Sequence, residues 1–314
     1  MNIYEELPKP FFVLAPLDDV TDVVFRQIVA SCYPPDLFFT EFVNVDGLQS
    51  HGRERIIHRL LTVPSDKPIV AQIWGKNPEN YYKTAKELFD MGFSGIDINM
   101  GCPDKAVVKN GCCVALINDR PLAKETIAAT KAGTDGKLPV SVKTRLGFNE
   151  IDFTWHEFLL EQGIDSLTIH GRTKKQMSLV PADWDAIGHV RELRDKISPS
   201  TTIIGNGDVE SIKQGRELAS KYKLDGIMIG RGIFTNPFVF DENNNWENMS
   251  PSIKKEIYAK QIQLFADTWL KKERSVNTLK KFAKVYVNSF EGAKELREEL
   301  MRTNSIEELL QLLK

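Results

Sequence analysis

The chain has 314 residues, a formal net charge of -2 and 42% hydrophobic residues, which fits a folded globular protein with one large domain and a smaller one. The near-neutral charge argues against bulk nucleic-acid binding and leaves room for a local basic face. No apolar run reaches the roughly 18 residues that a membrane span needs, and MNIYEELPKP lacks the basic start and apolar core of a signal peptide, so a cytoplasmic protein with no membrane partner is expected.

Eight short apolar strand candidates follow one another along the chain: FFVLAPL (11–17), LFFTEFV (37–43), PIVAQIW (68–74), GIDINM (95–100), PVSVKTRL (139–146), SLTIHG (166–171), TTIIGNGD (201–208) and GIMIGRG (226–232). Helical patterns lie between them. In PENYYKTAKELFDMG, Pro78 suits a first helical turn and Gly92 a C-terminal stop; PLAKETIAATKAG is a second such pattern, and DWDAIGHVRELRDK carries an apolar stripe of Ala186, Ile187, Val190 and Leu193. Eight βα units predict an α/β fold, a parallel (β/α)8 TIM barrel over residues 1–240. A doubly wound sheet is the alternative, but APLDDVTD, after the first strand, has no glycine for a dinucleotide turn.

The repetition stops near residue 240, at the polar, turn-rich DENNNWENMSPS, and residues 241–314 are expected to form a small helical domain. One stripe there is Ile253, Ile257, Ile262 and Phe265; another is Leu279, Phe282, Val285 and Tyr286. The outer faces are expected to carry Lys254, Lys255, Lys260, Lys271, Lys272, Arg274, Lys280, Lys281 and Lys284, while acids gather after Glu291. That is either an ordinary solvated face or a contact surface for a polyanion.

Active sites of such barrels lie at the C-terminal ends of the strands. By the period of two along a strand, Asp97 and Asn99 share a face, as do Lys143 and Arg145, and Gln72 lies between Val70 and Trp74. Lysine and arginine pointing inward need an electron-rich partner. It is either a structural ion pair with Asp97 or Glu41, or a bound heterocycle whose carbonyl oxygens and anionic nitrogen face Lys143, Arg145, Asn99 and Gln72. Glycines in GNGD and GRG, ending the last two strands, let backbone N–H groups approach a phosphate, with Arg231 adding charge.

The four cysteines form no CxxC pair and no metal spacing with the five histidines, so reduced thiols and no metal are expected. Cys112 and Cys113, in the apolar run CCVALI, are expected to be packing residues. Cys102 differs: it follows a strand on a loop, between Gly101 and Pro103, where a thiol is either an inert buried group or a nucleophile or proton donor.

The ordered series VLAPLDDVTDVVFR, TEFV, AQIWG, DINMGCPDKAVVKNGCC, VKTRLG, IHGRT, PADW, IIGNGD and IMIGRGIFTNP resembles the flavin-dependent tRNA-dihydrouridine synthases over roughly residues 10 to 240. The helical tail agrees in type and size only. The resemblance implies FMN on the barrel mouth, NADPH as reductant and tRNA as partner of an enzyme expected to be a monomer. Pro16, Leu17 and Asp18 are then expected to border the flavin ring, with Gln72 and Lys143 on its polar edge. His170, the Asn206-Gly207-Asp208 turn and Gly230-Arg231 are expected to hold its phosphate. Asn99, Lys143 and Arg145 are then expected to face the uracil carbonyls, and the basic helical domain to grip RNA.

The reaction so implied reduces the C5=C6 bond of a uridine: hydride passes from flavin N5 to C6, and Cys102, as general acid, protonates C5. Two departures from the family are visible: methionine is common where Leu17 stands, and KKQMSLVPADW lacks a tyrosine and a glycine often found there. Reduction of ribosomal RNA, a small-molecule flavoenzyme of the dihydroorotate-dehydrogenase type, and a non-catalytic RNA-binding barrel are the alternatives.

Overall fold

The structure is a computed structural model and describes residues 2–270 and 273–314. The described residues contain nine strands: β1 (Phe11–Leu14), β2 (Phe38–Phe39), β3 (Val43–Asn44), β4 (Ile69–Trp74), β5 (Gly95–Met100), β6 (Val140–Arg145), β7 (Ser166–His170), β8 (Thr202–Asn206) and β9 (Gly226–Ile229). All their pairings are parallel, in the order β1-β9-β8-β7-β6-β5-β4-β2, and a bridge between Val13 and Leu37 closes the ring. This is the predicted TIM barrel. Strands such as FFVL and GIDINM are buried on both faces, inside by the barrel core and outside by helices, which is why they read as continuous apolar runs.

The second predicted strand is two. β2 and β3 both pair with β4; Thr40 N still donates to Val70 O, and Glu41-Phe42 leaves the ladder between them. The cause is polar: Glu41 is fully buried and accepts from the backbone N–H of Asp19 at 2.7 Å, while Thr40 Oγ1 accepts from Gln72 N at 3.0 Å. Both groups are satisfied only by bending the strand.

The helix Pro78–Asp90 starts with Pro78 behind an Asn77 cap, and Gly92, at φ 77°, ends the turn after it, as the sequence predicts. The helix Trp184–Ile197 buries Ala186, Ile187 and Val190.

The C-terminal region is helical and shares one continuous apolar core with the barrel, with Phe282 packing on Phe25 at 4.7 Å between ring centroids. Two expectations change here. In the helix Pro251–Thr268, Tyr258, Ile262 and Phe265 form the buried stripe, while Ile253 is 45% exposed; Tyr258 stacks on Tyr286 and so sets the buried face. TLKKFAKVYVNSF is two short helices, Asn277–Lys280 and Ala283–Tyr286. Leu279, Phe282 and Val285 recur every three residues, and the backbone follows with i to i−3 bonds, Phe282 N to Leu279 O and Val285 N to Phe282 O.

Candidate active site

Strand register builds the site in rows. Gln72, Asp97 and Ser141 are neighbours across β4, β5 and β6; Asn99, Lys143 and Thr168 form the next row toward the strand ends, and Arg145, His170 and Asn206 the row above. Side chains two residues apart on a strand share a face, so all of these point the same way, into the barrel.

The upper rows open into a cavity of about 600 Å³. Its walls include Pro16, Leu17, Lys143, Arg145, His170, Asn206, Gly207, Asp208, Gly230 and Arg231, which brings together ten of the residues singled out in the sequence. Asp18, Gln72, Asn99 and Cys102 lie outside its lining, although Pro103, next to Cys102, is part of it.

The cavity is cationic. Burial, and then Lys143, Arg145, Arg172 and Arg231, push the His170 imidazole down to about 2, so it is neutral. Its Nδ1 is buried and unpartnered. Lys143 Nζ makes no hydrogen bond or ion pair among the described residues, and burial followed by the Arg145 charge lowers its ammonium to about 8. The proposed structural ion pair of Lys143 is not formed: Asp97 accepts from Ser141 and Gln72, and Glu41 pairs with Arg59 and Arg274.

Arg145 bonds three backbone carbonyls, of Gly101 at 2.8 Å, Thr173 at 3.3 Å and Met177 at 3.1 Å, and thereby ties the Cys102 loop to the segment over the cavity rim. The Asp208 carboxylate is engaged by Arg172, by Ala182 N at 2.9 Å and by Arg231 at 3.1 Å, and its carbonyl oxygen accepts from Gln214 at 3.0 Å, which leaves its backbone N–H for any ligand. The N–H groups of Asp208, Arg231 and Gly232 have no acceptor among the described residues. Unpaired N–H groups from two turns, beside arginines, make an anion nest.

Below this cavity Gln72 and Asn99 belong to a hydrogen-bonded chain. Asn99 Oδ1 accepts the backbone N–H groups of Gly101 and Cys102, both at 3.0 Å. Asn99 Nδ2 donates to Gln72 Oε1 at 2.9 Å, and Gln72 Nε2 donates to Asp97 Oδ2 at 2.7 Å. Burial raises the Asp97 carboxyl to about 6, against the pull of Ser141 and Gln72.

The Cys102 thiol is lowered to about 7, first of all by the Cys113 thiol beside it, against partial burial. Cys113 is fully buried, as expected of a packing residue, but its contact with Cys102 gives it a second role that the sequence reading missed. Its φ of 53° was not legible, because no glycine or asparagine marks the position.

Asp18 faces Arg59. With Asp19 and Glu41 it forms a carboxylate cluster that Arg59 and Arg274 neutralise.

The predicted basic face also divides. Lys254 is buried against the Trp246 ring, Lys280 is buried and donates to Met301 O, and Arg274 is buried in the ion cluster, so these three are structural. Lys271 and Lys272 lie outside the described residues. Lys281 and Lys284 instead line a groove of about 580 Å³ with Arg297 and Asn288, and Thr235 lines both this groove and the main cavity. Beyond it, Lys284 and Arg297 meet Lys294 and Arg302 around a further hollow of about 460 Å³. Lys294 and Arg297 were hidden among the acids after Glu291, and only their spacing of three on the helix Ala293–Arg302 marks a common face.

A closed parallel barrel with a cationic mouth and a thiol beside it defines an enzyme-type site for an anionic ligand. The family model "Dihydrouridine synthase (Dus)" matches residues 13–314, and the chain belongs to the dihydrouridine synthase family. It is 46% identical over 315 residues to a "Probable tRNA-dihydrouridine synthase" of Staphylococcus aureus (strain COL), covering 99% of this chain and 94% of that one. With a "Probable tRNA-dihydrouridine synthase 2" of Bacillus subtilis (strain 168) it shares 45% over 318 residues, covering 99% and 95%. Among solved structures, a morphinone reductase in complex with tetrahydroNAD superposes with a TM-score of 0.51 at 11% identity, over 73% of this chain and 85% of that one, a likeness of fold.

Proposed function

We propose that this chain is an FMN-dependent tRNA-dihydrouridine synthase that reduces the C5=C6 bond of a uridine in tRNA. Family membership and relatives named for that activity support the reaction. The single observation that carries the site is the cavity of about 600 Å³ in which Lys143, Arg145, His170 and Arg231 converge beside the Cys102 loop.

An unpaired ammonium, an orphaned imidazole nitrogen and free N–H groups fit a flavin mononucleotide, which carries both a phosphate and an anion-accepting ring. Pro16 and Leu17 would border its ring and Lys143 its polar edge, with Gln72 in the row beneath. His170, Asn206, the N–H groups of the Gly207-Asp208 turn, Gly230 and Arg231 would hold its phosphate. FMN, when bound, supplies the hydride, with NADPH as its source. Cys102 delivers the proton to C5 of the base, and a thiol near 7 is matched to that task at neutral pH. Arg145 and Lys143 orient the uracil carbonyls, with Asn99 holding the loop that carries the thiol. The target base must leave its stack to reach the cavity, and the groove of Lys281, Lys284 and Arg297, continuous with the mouth through Thr235, tracks the RNA phosphates. This assigns residues 1–240 to catalysis and residues 241–314 to RNA binding.

Mass spectrometry of tRNA from cells with and without the gene tests this reading. Loss of dihydrouridine at a defined position is the expected result, and unchanged tRNA sinks it.

A further inference from the structure

Asp97 is a buried carboxylate in the barrel wall with no ion-pair partner among the described residues. Desolvating such a group is expensive, so its presence asks for a use. We propose that Asp97 is a positioning residue of the proton-donor loop: it is the charged acceptor that anchors the far end of the Gln72–Asn99 hydrogen-bond relay holding Gly101 and Cys102 in place. The connection to catalysis rests on the reading of Cys102 as proton donor; the relay itself does not.

The direction of the relay follows from what each group can do. Backbone N–H groups only donate, so the Asn99 atom facing Gly101 N and Cys102 N is its oxygen. Its nitrogen therefore faces Gln72, whose oxygen accepts and whose nitrogen must then donate onward to residue 97. A carboxylate there can only accept. The second Asp97 oxygen accepts from Ser141 Oγ at 2.6 Å, and Ser141 Oγ in turn accepts from the Tyr4 hydroxyl at 2.9 Å. Each amide thus has one permitted orientation, demanded by the two backbone N–H groups at one end and matched by the carboxylate at the other.

An amide at position 97 presents either an oxygen or a nitrogen to Gln72. The backbone N–H groups still favour the native direction, but the charge that strengthens its last bond is gone and the reversed direction loses its penalty at this end. In the reversed one Asn99 Nδ2 faces two N–H groups, donor against donor, and the loop is released. Release separates Cys102 from the Cys113 thiol that lowers it, so the proton donor moves back toward an ordinary thiol.

The test is the pH profile of iodoacetamide alkylation at Cys102, followed by mass spectrometry on the flavin-loaded full chain. The wild-type midpoint is expected near 7. Asp97→Asn is expected to move it up by about one unit, toward the ordinary thiol value. Gln72→Met, which cuts the relay at its middle, is expected to do the same and serves if Asp97→Asn does not fold. Tyr4→Phe removes a hydroxyl from the same buried row without touching the charge, and is expected to leave the midpoint in place.

An unshifted midpoint in both Asp97→Asn and Gln72→Met overturns the proposal. So does a Tyr4→Phe shift as large as theirs, because the effect would then be general loosening. Full turnover by Cys102→Ala would remove the proton-donor reading and leave the alkylation result, and with it the relay, standing.

Discussion

Arg274, from the helical region, donates to the buried carboxylate of Glu41 at the bend of the barrel wall. The same guanidinium reaches Asp19 at 3.4 Å and lies 5.3 Å from the Trp269 ring centroid, so barrel and helical region share one ion cluster beside the β1 loop. Arg274→Met leaves Glu41 with Arg59 as its one cationic partner among the described residues, and breaking a buried pair this way costs about 3 kcal/mol. Urea unfolding is expected to show an unfolding free energy lower by that amount, read as a lower midpoint at unchanged slope; an unchanged midpoint would mean that the cluster contributes nothing.

The lowered Cys102 thiol predicts a pH dependence. A proton donor works only while protonated, so turnover under saturating reductant should fall as pH rises through about 7, below the range of an ordinary thiol. Cys102→Ala should cost roughly 10²- to 10⁴-fold in kcat with flavin still bound. A kcat that stays flat between pH 6 and about 9 contradicts the assignment.

Lys143 carries the opposite kind of sensitivity, in binding. Its ammonium is charged below about 8 and loses its charge as pH rises through that value, so affinity for an anionic flavin should weaken across this window. Lys143→Met should lose roughly ten- to a hundredfold in flavin affinity, the worth of one charge-assisted bond, as read by fluorescence titration. Equal affinity in the variant would remove Lys143 from the cofactor site.

The groove beside the mouth makes a prediction about salt. Lys284 borders both hollows of the helical region, so Lys284→Ala should weaken tRNA binding and reduce the slope of log K against log salt by about 1. A slope equal to that of the wild type would place the RNA elsewhere.

The barrel was legible because each strand is a short apolar run and each helix carries its own start and stop, as at Pro78 and Gly92. The inward rows were legible too, since a period of two puts Lys143 and Arg145 on one face whatever the tertiary context. What the sequence hid depends on partners that only the fold supplies. Glu41 is buried beside Arg274, 233 residues later, and Lys254 and Lys280 look solvated until Trp246 and Met301 cover them. Gln72 and Asn99 read as ligand-facing amides; only the register with Asp97 reveals that they also hold the Cys102 loop.

Reduction of uridine in tRNA by this chain is measured by incubating unmodified tRNA with the purified flavin-loaded protein and NADPH, then mapping nucleoside masses along the RNA. A gain of two hydrogens at a uridine, absent with Cys102→Ala, is the predicted result. RNA that returns with every uridine unchanged while the flavin is fully reduced would show that the chain is not a tRNA-uridine reductase.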